Sequence, residues 1–429
     1  MHNTLQVFRE YAGDYQAVGT LQTTDENTVF TYTSEYLSSP KANPLSLTLP
    51  LQSAAFSVKQ TQAFFEGLLP EGVMRESLVR LLRAGTAAYP EILGRLNNES
   101  SGALIFSMND NILATNRSYA EFSSEDLDAF SQQPQRVALD SGMASRLSLA
   151  GAQIKLGLYH KGNNPLNGWF IPLGSAPSTH ILKAADGSFP HQTINEALCL
   201  IAARNCGFNV ARCFLIPTNS PDPLLAVERF DRIITDDAPE INGCKIPKRL
   251  HQEDFCQAAG LAQYLKYEPT EGNYPALASR LINHSVKNPF GDKMMFFDRL
   301  LFDFLIGNCD NHLKNHSFLW DFHWSGCELS PLYDITCTTI YPKLAREMGV
   351  SLCASRRIDD IRTKDILSSA QNMGIAEKLA RERFATLRER FSSALEKGCQ
   401  ELLEQGFSPA SEVANSISED AASRLALNI

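Results

Sequence analysis

Residues Met294 to Ile306 read MMFFDRLLFDFLI, and the chain continues at once into GNCDNHLKN, Gly307 to Asn315. So dense an apolar run has to be buried. Asp298, Arg299 and Asp303 interrupt it, and it falls short of the roughly 18 apolar residues of a membrane span, so it predicts a core helix. A polar cluster placed directly at the end of such a helix is read in two ways, as a capping loop or as a site that carries chemistry.

One spacing fits the second reading, although the same spacing arises by chance in many proteins. Asp310 and Asn315 lie as far apart as the Asp and Asn of the protein-kinase catalytic loop, where Asp receives a hydroxyl proton and Asn holds a metal ion. A second acid, Asp334, ends the strand-like LSPLYDI, where a kinase carries its other metal-binding Asp, although the Phe and Gly of that motif are missing. An Asx turn is the other reading of Asp334. Oxygen ligands from Asp310, Asn315 and Asp334 suit Mg²⁺ with a bound nucleotide better than zinc.

Upstream, Ser148 to Lys155 reads SLAGAQIK, with small residues that let backbone N–H groups approach phosphate. It matches neither standard glycine-rich phosphate motif, and a tight hairpin is its plainer reading. Lys183 ends the strand-like THILK and Glu196 follows on the next predicted helix, the spacing of a phosphate-contacting lysine and its acidic partner. Taken singly, a lysine at a strand end is more often a surface residue. The segment AVERFD, Ala226 to Asp231, stands where a hinge strand offers backbone groups to an adenine edge. Each signal is weak alone, but their order along the chain is that of an ATP-using kinase-like enzyme.

The rest of the composition agrees with a packed protein. Of 429 residues, 44% are hydrophobic and 20% charged, so the chain is globular rather than disordered. The net charge of −9 argues against a dedicated nucleic-acid binder. Nothing near Met1 suggests secretion, and the 10 cysteines show no CxxC pair, so reduced thiols and a cytoplasmic location are expected.

Several of these motifs resemble one family, the HipA kinases, toxin halves of bacterial type II toxin–antitoxin pairs. FFEGLLPEG, SLAGAQIKL, THILK, AVERFDR, RLHQEDFCQA, GNCDNHLKN and LSPLYDI occur in the family's order over nearly the whole chain. The resemblance implies Asp310 as catalytic base and Asn315 and Asp334 as Mg²⁺ ligands. It implies an ATP site of Ala150, Gly151, Ala152, Gln153, Ile154, Lys155, Lys183, Glu228, Arg229, Phe230, His312, Leu313, Lys314, Asn315, Tyr333 and Asp334. Ser148 matches the family's autophosphorylated serine, with Ser145 close enough to compete. Phosphate there adds about −1.5 to −2 charges beside the ATP phosphates and implies self-inactivation. The implied substrate is an aminoacyl-tRNA synthetase and the implied partner a HipB-like helix-turn-helix antitoxin, through which any DNA contact is indirect; no membrane contact is implied.

The expected fold is α+β, protein-kinase-like and two-lobed, with an N-terminal β-rich subdomain and an all-α C-terminal lobe. The expected divisions are a β-rich subdomain over 1–110, a connector over 111–146, an α/β unit with phosphate loop and hinge over 147–245, and a helical lobe over 246–429. Two other functions stand beside the toxin kinase: a catalytically silent nucleotide-binding corepressor, and a kinase for a small hydroxyl-bearing metabolite.

Overall fold

The computed structural model describes residues 3–24, 27–72, 75, 76, 79, 89–95, 100–108, 117–139, 154–185, 187–352 and 355–428. The chain divides into two compact units, each assembled from separated segments.

The first unit comprises Met1–Asp186, Ile216–Gln263 and Leu319–Gly326. It opens with β1 (Asn3–Tyr11), β2 (Asp14–Thr24) and β3 (Asn27–Tyr32), which form an antiparallel sheet completed by β4 (Leu104–Ser107) in the order β3-β2-β1-β4. Alternation buries Leu5, Val7, Leu21 and Phe30 on one face. Helix Val58–Phe65, started by a Ser57–Gln60 capping box, lays Phe64 and Phe65 into that core, with Phe65 5.1 Å from the Phe30 ring.

A second antiparallel sheet places β5 (Ser118–Phe122), β7 (Trp169–Leu173), β6 (Lys155–His160), β8 (His180–Lys183) and the strand Leu224–Glu228 side by side in that order. Ser123 caps the helix Ser124–Gln132 through a capping box with Asp126. Buried Arg229 and Arg232 both pair with Asp231, and both donate to the Ser100 carbonyl; Asp231 also accepts from the Gly102 N–H. This network ties the N-terminal sheet to the strand Leu224–Glu228.

The second unit comprises Gly187–Leu215, Tyr264–Phe318 and Cys327–Ile429. Helix Pro289–Ile306 lies at its centre, with Phe296, Phe297, Leu300, Phe302, Phe304 and Leu305 fully enclosed. The long helix Glu377–Glu404 buries Phe384, Phe391 and Leu395, and Phe391 meets Phe302 at 6.1 Å.

The lobe expected to be helical over 246–429 does not begin so: Gln252–Asp254 is extended and Asp254 starts a short helix Phe255–Ala259, stopped by left-handed Gly260. Nor is the last third all helical, because strand Glu347–Leu352 pairs with Ser355–Arg357. Its MGVSL core is apolar without helical spacing, and it is held by backbone bonds to distant loops that local propensity does not report. Among the described residues no helix is long and apolar enough to cross a membrane.

Candidate functional site

The site begins with how helix Pro289–Ile306 ends. Asn288 accepts from the Gly291 N–H to start it, and Gly307 stops it at φ +84°. A Cβ at that glycine would lie 2.1 Å from the Thr339 hydroxyl, so both conformation and space demand glycine. One turn apart on this helix, buried Arg299 and Asp303 approach to 3.9 Å. Asp303 accepts from the Asn308 amide at 2.8 Å, and its carbonyl takes the Asn308 N–H at 2.8 Å. Burial lifts its carboxyl to about 6, opposed by Arg299 and by hydrogen bonds from Asn308 and Asn311. Arg299 in turn donates to the Tyr333 carbonyl at 3.3 Å. Two charges inside an apolar helix thus hold two polar loops.

The Gly307 to Asn315 segment is fixed from several sides. Asn311 forms a two-way bond with the Val350 backbone, at 3.2 Å to its carbonyl and 3.1 Å from its N–H. The Gly349 N–H donates to the Cys309 carbonyl, and the Leu313 N–H to the Lys266 carbonyl. The segment closes in a 3-10 turn, Leu313–Asn315. There the Asn315 amide nitrogen donates to the Asp310 carbonyl at 2.8 Å. The Asp310 side chain is 52% exposed, and its carboxylate accepts from the Tyr267 hydroxyl at 2.5 Å.

His312, also expected at the site, lies with Nε2 3.9 Å from the Asp310 carboxylate. Burial, reinforced by Lys266 and Lys314, holds its imidazole well below the usual range, so it is neutral at pH 7 and is not a proton donor there. Tyr333 joins the loop to the second acid: its hydroxyl donates to the Lys314 carbonyl at 2.9 Å and meets the Ser317 hydroxyl at 2.6 Å. Next to it Asp334 adopts φ +52°, a left-handed conformation that Asp tolerates better than most residues and that occurs often at functional sites. The structure therefore gathers Asp310, His312, Leu313, Lys314, Asn315, Tyr333 and Asp334 in the second unit. Glu196 lies in the same unit, buried on helix Gln192–Cys206.

In the first unit, β6 and β8 pair so that Lys155 stands directly opposite Lys183, both buried. Residues so paired point to one face of the sheet, which sets two cations side by side. Glu228, exposed, is in register with His180. Arg229 is held by both backbone and side chain: its N–H donates to the Thr179 carbonyl, and its guanidinium bonds Asp231, Ser178 and Ser100. Any contact of Glu228 to Phe230 with a nucleotide would have to spare that side chain. Ile154 leads into β6. Ser145, Ser148, Ala150, Gly151, Ala152 and Gln153 lie outside the described residues.

Residues 147–395 match the HipA-like C-terminal domain, and residues 11–107 the HipA N-terminal domain. The chain belongs to the HipA family. It is 30% identical to the putative kinase Y4mE of Sinorhizobium fredii over 83% of each chain. It is 26% identical to the serine/threonine-protein kinase toxin HipA of Shewanella oneidensis, over 82% of this chain and 80% of that one. A solved complex of Shewanella oneidensis HipA with HipB and operator DNA contains a chain matching this fold at TM-score 0.78 and 24% identity, covering 96% of both. The fold is thus the kinase-like HipA fold, of mixed helix and sheet.

Sequence spacing missed the residues that hold this HipA-family site in shape: Tyr267, Arg299, Asp303, Asn308, Asn311 and Gly349. A signal existed for two of them, since Arg299 and Asp303 are charges at helical i, i+4 spacing inside an otherwise apolar run. Tyr267 and Gly349 had none, because they reach the loop from elements distant in sequence.

Proposed function

We propose that this chain is an ATP-dependent serine/threonine protein kinase acting as a HipA-type toxin. The observation that carries the reading is the bond from the Asn315 amide nitrogen to the Asp310 carbonyl, beside a Tyr333 that ties Asp334 to the same loop. Asn315 Oδ1, on the loop of the exposed Asp310 carboxylate, and the Asp334 carboxylate, on the turn that Tyr333 ties to that loop, would supply two oxygen donors. A hard, oxygen-only donor set fits Mg²⁺. The ion, when bound, would neutralise charge on the phosphate oxygens of ATP.

Asp310 would accept the proton of the attacking serine or threonine hydroxyl, and its exposure leaves room for a protein substrate. Lys155 and Lys183 would meet phosphate oxygens, with Ala150 to Ile154 supplying backbone N–H groups and Glu228 to Phe230 an edge for adenine. His312, Leu313, Lys314 and Tyr333 would line the nucleotide. Ser148 is the proposed autophosphorylation site, and an aminoacyl-tRNA synthetase the proposed target. A HipB-like helix-turn-helix antitoxin is the proposed partner, with operator DNA reached mainly through it, in keeping with the net charge of −9.

Intact-mass and peptide mass spectrometry after incubation with Mg²⁺ and ATP tests the reading, with Asp310→Asn in parallel. One phosphate at Ser148 in the wild type alone is the expected result. ATP binding without phosphate transfer to the chain or to any synthetase would sink it in favour of the silent corepressor.

A further inference from the structure

Tyr267 is 43% exposed, yet nothing about its position is loose. The residue before it, Lys266, accepts from the Leu313 N–H through its carbonyl at 3.0 Å, and the residue after it, Glu268, donates its N–H to the Gly349 carbonyl at 2.8 Å. The Glu268 carboxylate is buried and takes the N–H groups of Tyr274 and Ser351, each at 2.7 Å. Tyr267 is therefore fastened on one side to the loop that carries Asp310 and on the other to strand Glu347–Leu352. Its ring stands edge-on to His312, with centroids 5.1 Å apart at 87°, and the Lys266 ammonium lies 5.4 Å from its centre. From this frame the hydroxyl reaches the Asp310 carboxylate.

A half-exposed aspartate has several staggered rotamers open to it. Asp310 is held at its backbone, where its N–H donates to the Asn308 side-chain oxygen at 3.1 Å. That bond does not fix the carboxylate. We propose that Tyr267 is the positioning residue of Asp310: its hydroxyl holds Oδ1 so that the other oxygen is presented, already oriented, to the substrate hydroxyl. The inference rests on reading Asp310 as the base of phosphoryl transfer. Orientation matters because the base must meet the attacking hydroxyl within hydrogen-bond reach.

Tyr267→Phe keeps the ring against His312 and removes only the hydroxyl. The expected result in the full-length protein is a kcat lower by about tenfold with KM for ATP unchanged, the size expected for a lost hydrogen bond to a charged group. A crystal structure of the variant should show the Asp310 carboxylate rotated from its wild-type position. An unchanged or higher kcat would overturn the proposal, as would phosphate found on Tyr267 itself, which would make the hydroxyl an acceptor. If the wild type transfers no phosphate, the kinase reading falls separately. The crystal structure then decides the positioning alone, a rotated carboxylate supporting it and an unmoved one overturning it.

Discussion

The Tyr333 hydroxyl donates to the Lys314 carbonyl at 2.9 Å, across a gap of 19 residues, and so fixes the turn that ends in Asp334 against the loop that carries Asp310 and Asn315. The same hydroxyl meets Ser317, and Arg299 braces the Tyr333 carbonyl from the core helix. Tyr333→Phe keeps the ring and loses both hydroxyl bonds. Phosphate transfer is expected to slow about tenfold, the kinetic equivalent of roughly 1.4 kcal/mol, measured as initial rates with saturating Mg²⁺ and ATP. A rate equal to wild type would mean that the Asp334 turn is held by other contacts.

Gly349 leaves no room for a side chain. An added Cβ would lie 2.7 Å from the His312 nitrogen and 2.9 Å from its Cα, both backbone atoms of the loop that carries Asp310. Gly349→Ala should therefore displace that loop and lower phosphate transfer by at least about tenfold, with a stability loss of roughly 1 to 3 kcal/mol from overpacking. Activity assays paired with urea denaturation would check both, and an alanine variant as active as wild type would contradict the close approach.

Asp231 compensates two buried guanidinium groups, Arg229 and Arg232. Burial alone would raise its carboxyl, but the two arginines and the Gly102 N–H outweigh it and hold it far below the usual range. A depressed folded value means that this stabilisation is complete above the unfolded value of about 3.9 and is lost only as pH falls toward the folded one. Asp231→Ala should cost about 3 to 5 kcal/mol at pH 7, read from urea midpoints, because two buried cations lose their partner.

Glu253 behaves in the opposite sense. Burial pushes its carboxyl up to about 8 against hydrogen bonds from Ser46 and Leu47, with Asp254 adding to the rise. The folded protein then holds a proton that the unfolded chain releases near pH 4.3, so this contribution is greatest below that pH and declines as pH rises to about 8. Glu253→Gln mimics the neutral acid. It should match wild type near pH 4 and exceed it at pH 8 to 9 by on the order of 2 kcal/mol, measured as denaturant midpoints across that range.

The loop from Gly307 to Asn315 was legible because its signals are local: an apolar helix, a glycine stop, and two polar side chains at fixed spacing. The N-terminal strands were legible for the same reason, since their alternation is written residue by residue. The bonds of Arg229 were not legible, because its sequence neighbours describe a strand end, whereas its partners Ser100 and Ser178 lie far away along the chain. Strand Glu347–Leu352 was missed likewise, since Gly349 and Val350 are held by Cys309 and Asn311.

The amino-acid order by itself determined where carboxylates, amides and cations fall along the chain, and that a buried helix delivers Asp310 and Asn315 to its end. Periodicity and spacing are properties of neighbours, and neighbours are what a sequence records. Only the tertiary structure decided that Lys155 faces Lys183, that Tyr333 joins Asp334 to the loop, and that Tyr267 holds the Asp310 carboxylate. Each of these joins groups tens of residues apart, and strand register, backbone bonds between loops and the packing of one helix fix such pairs together.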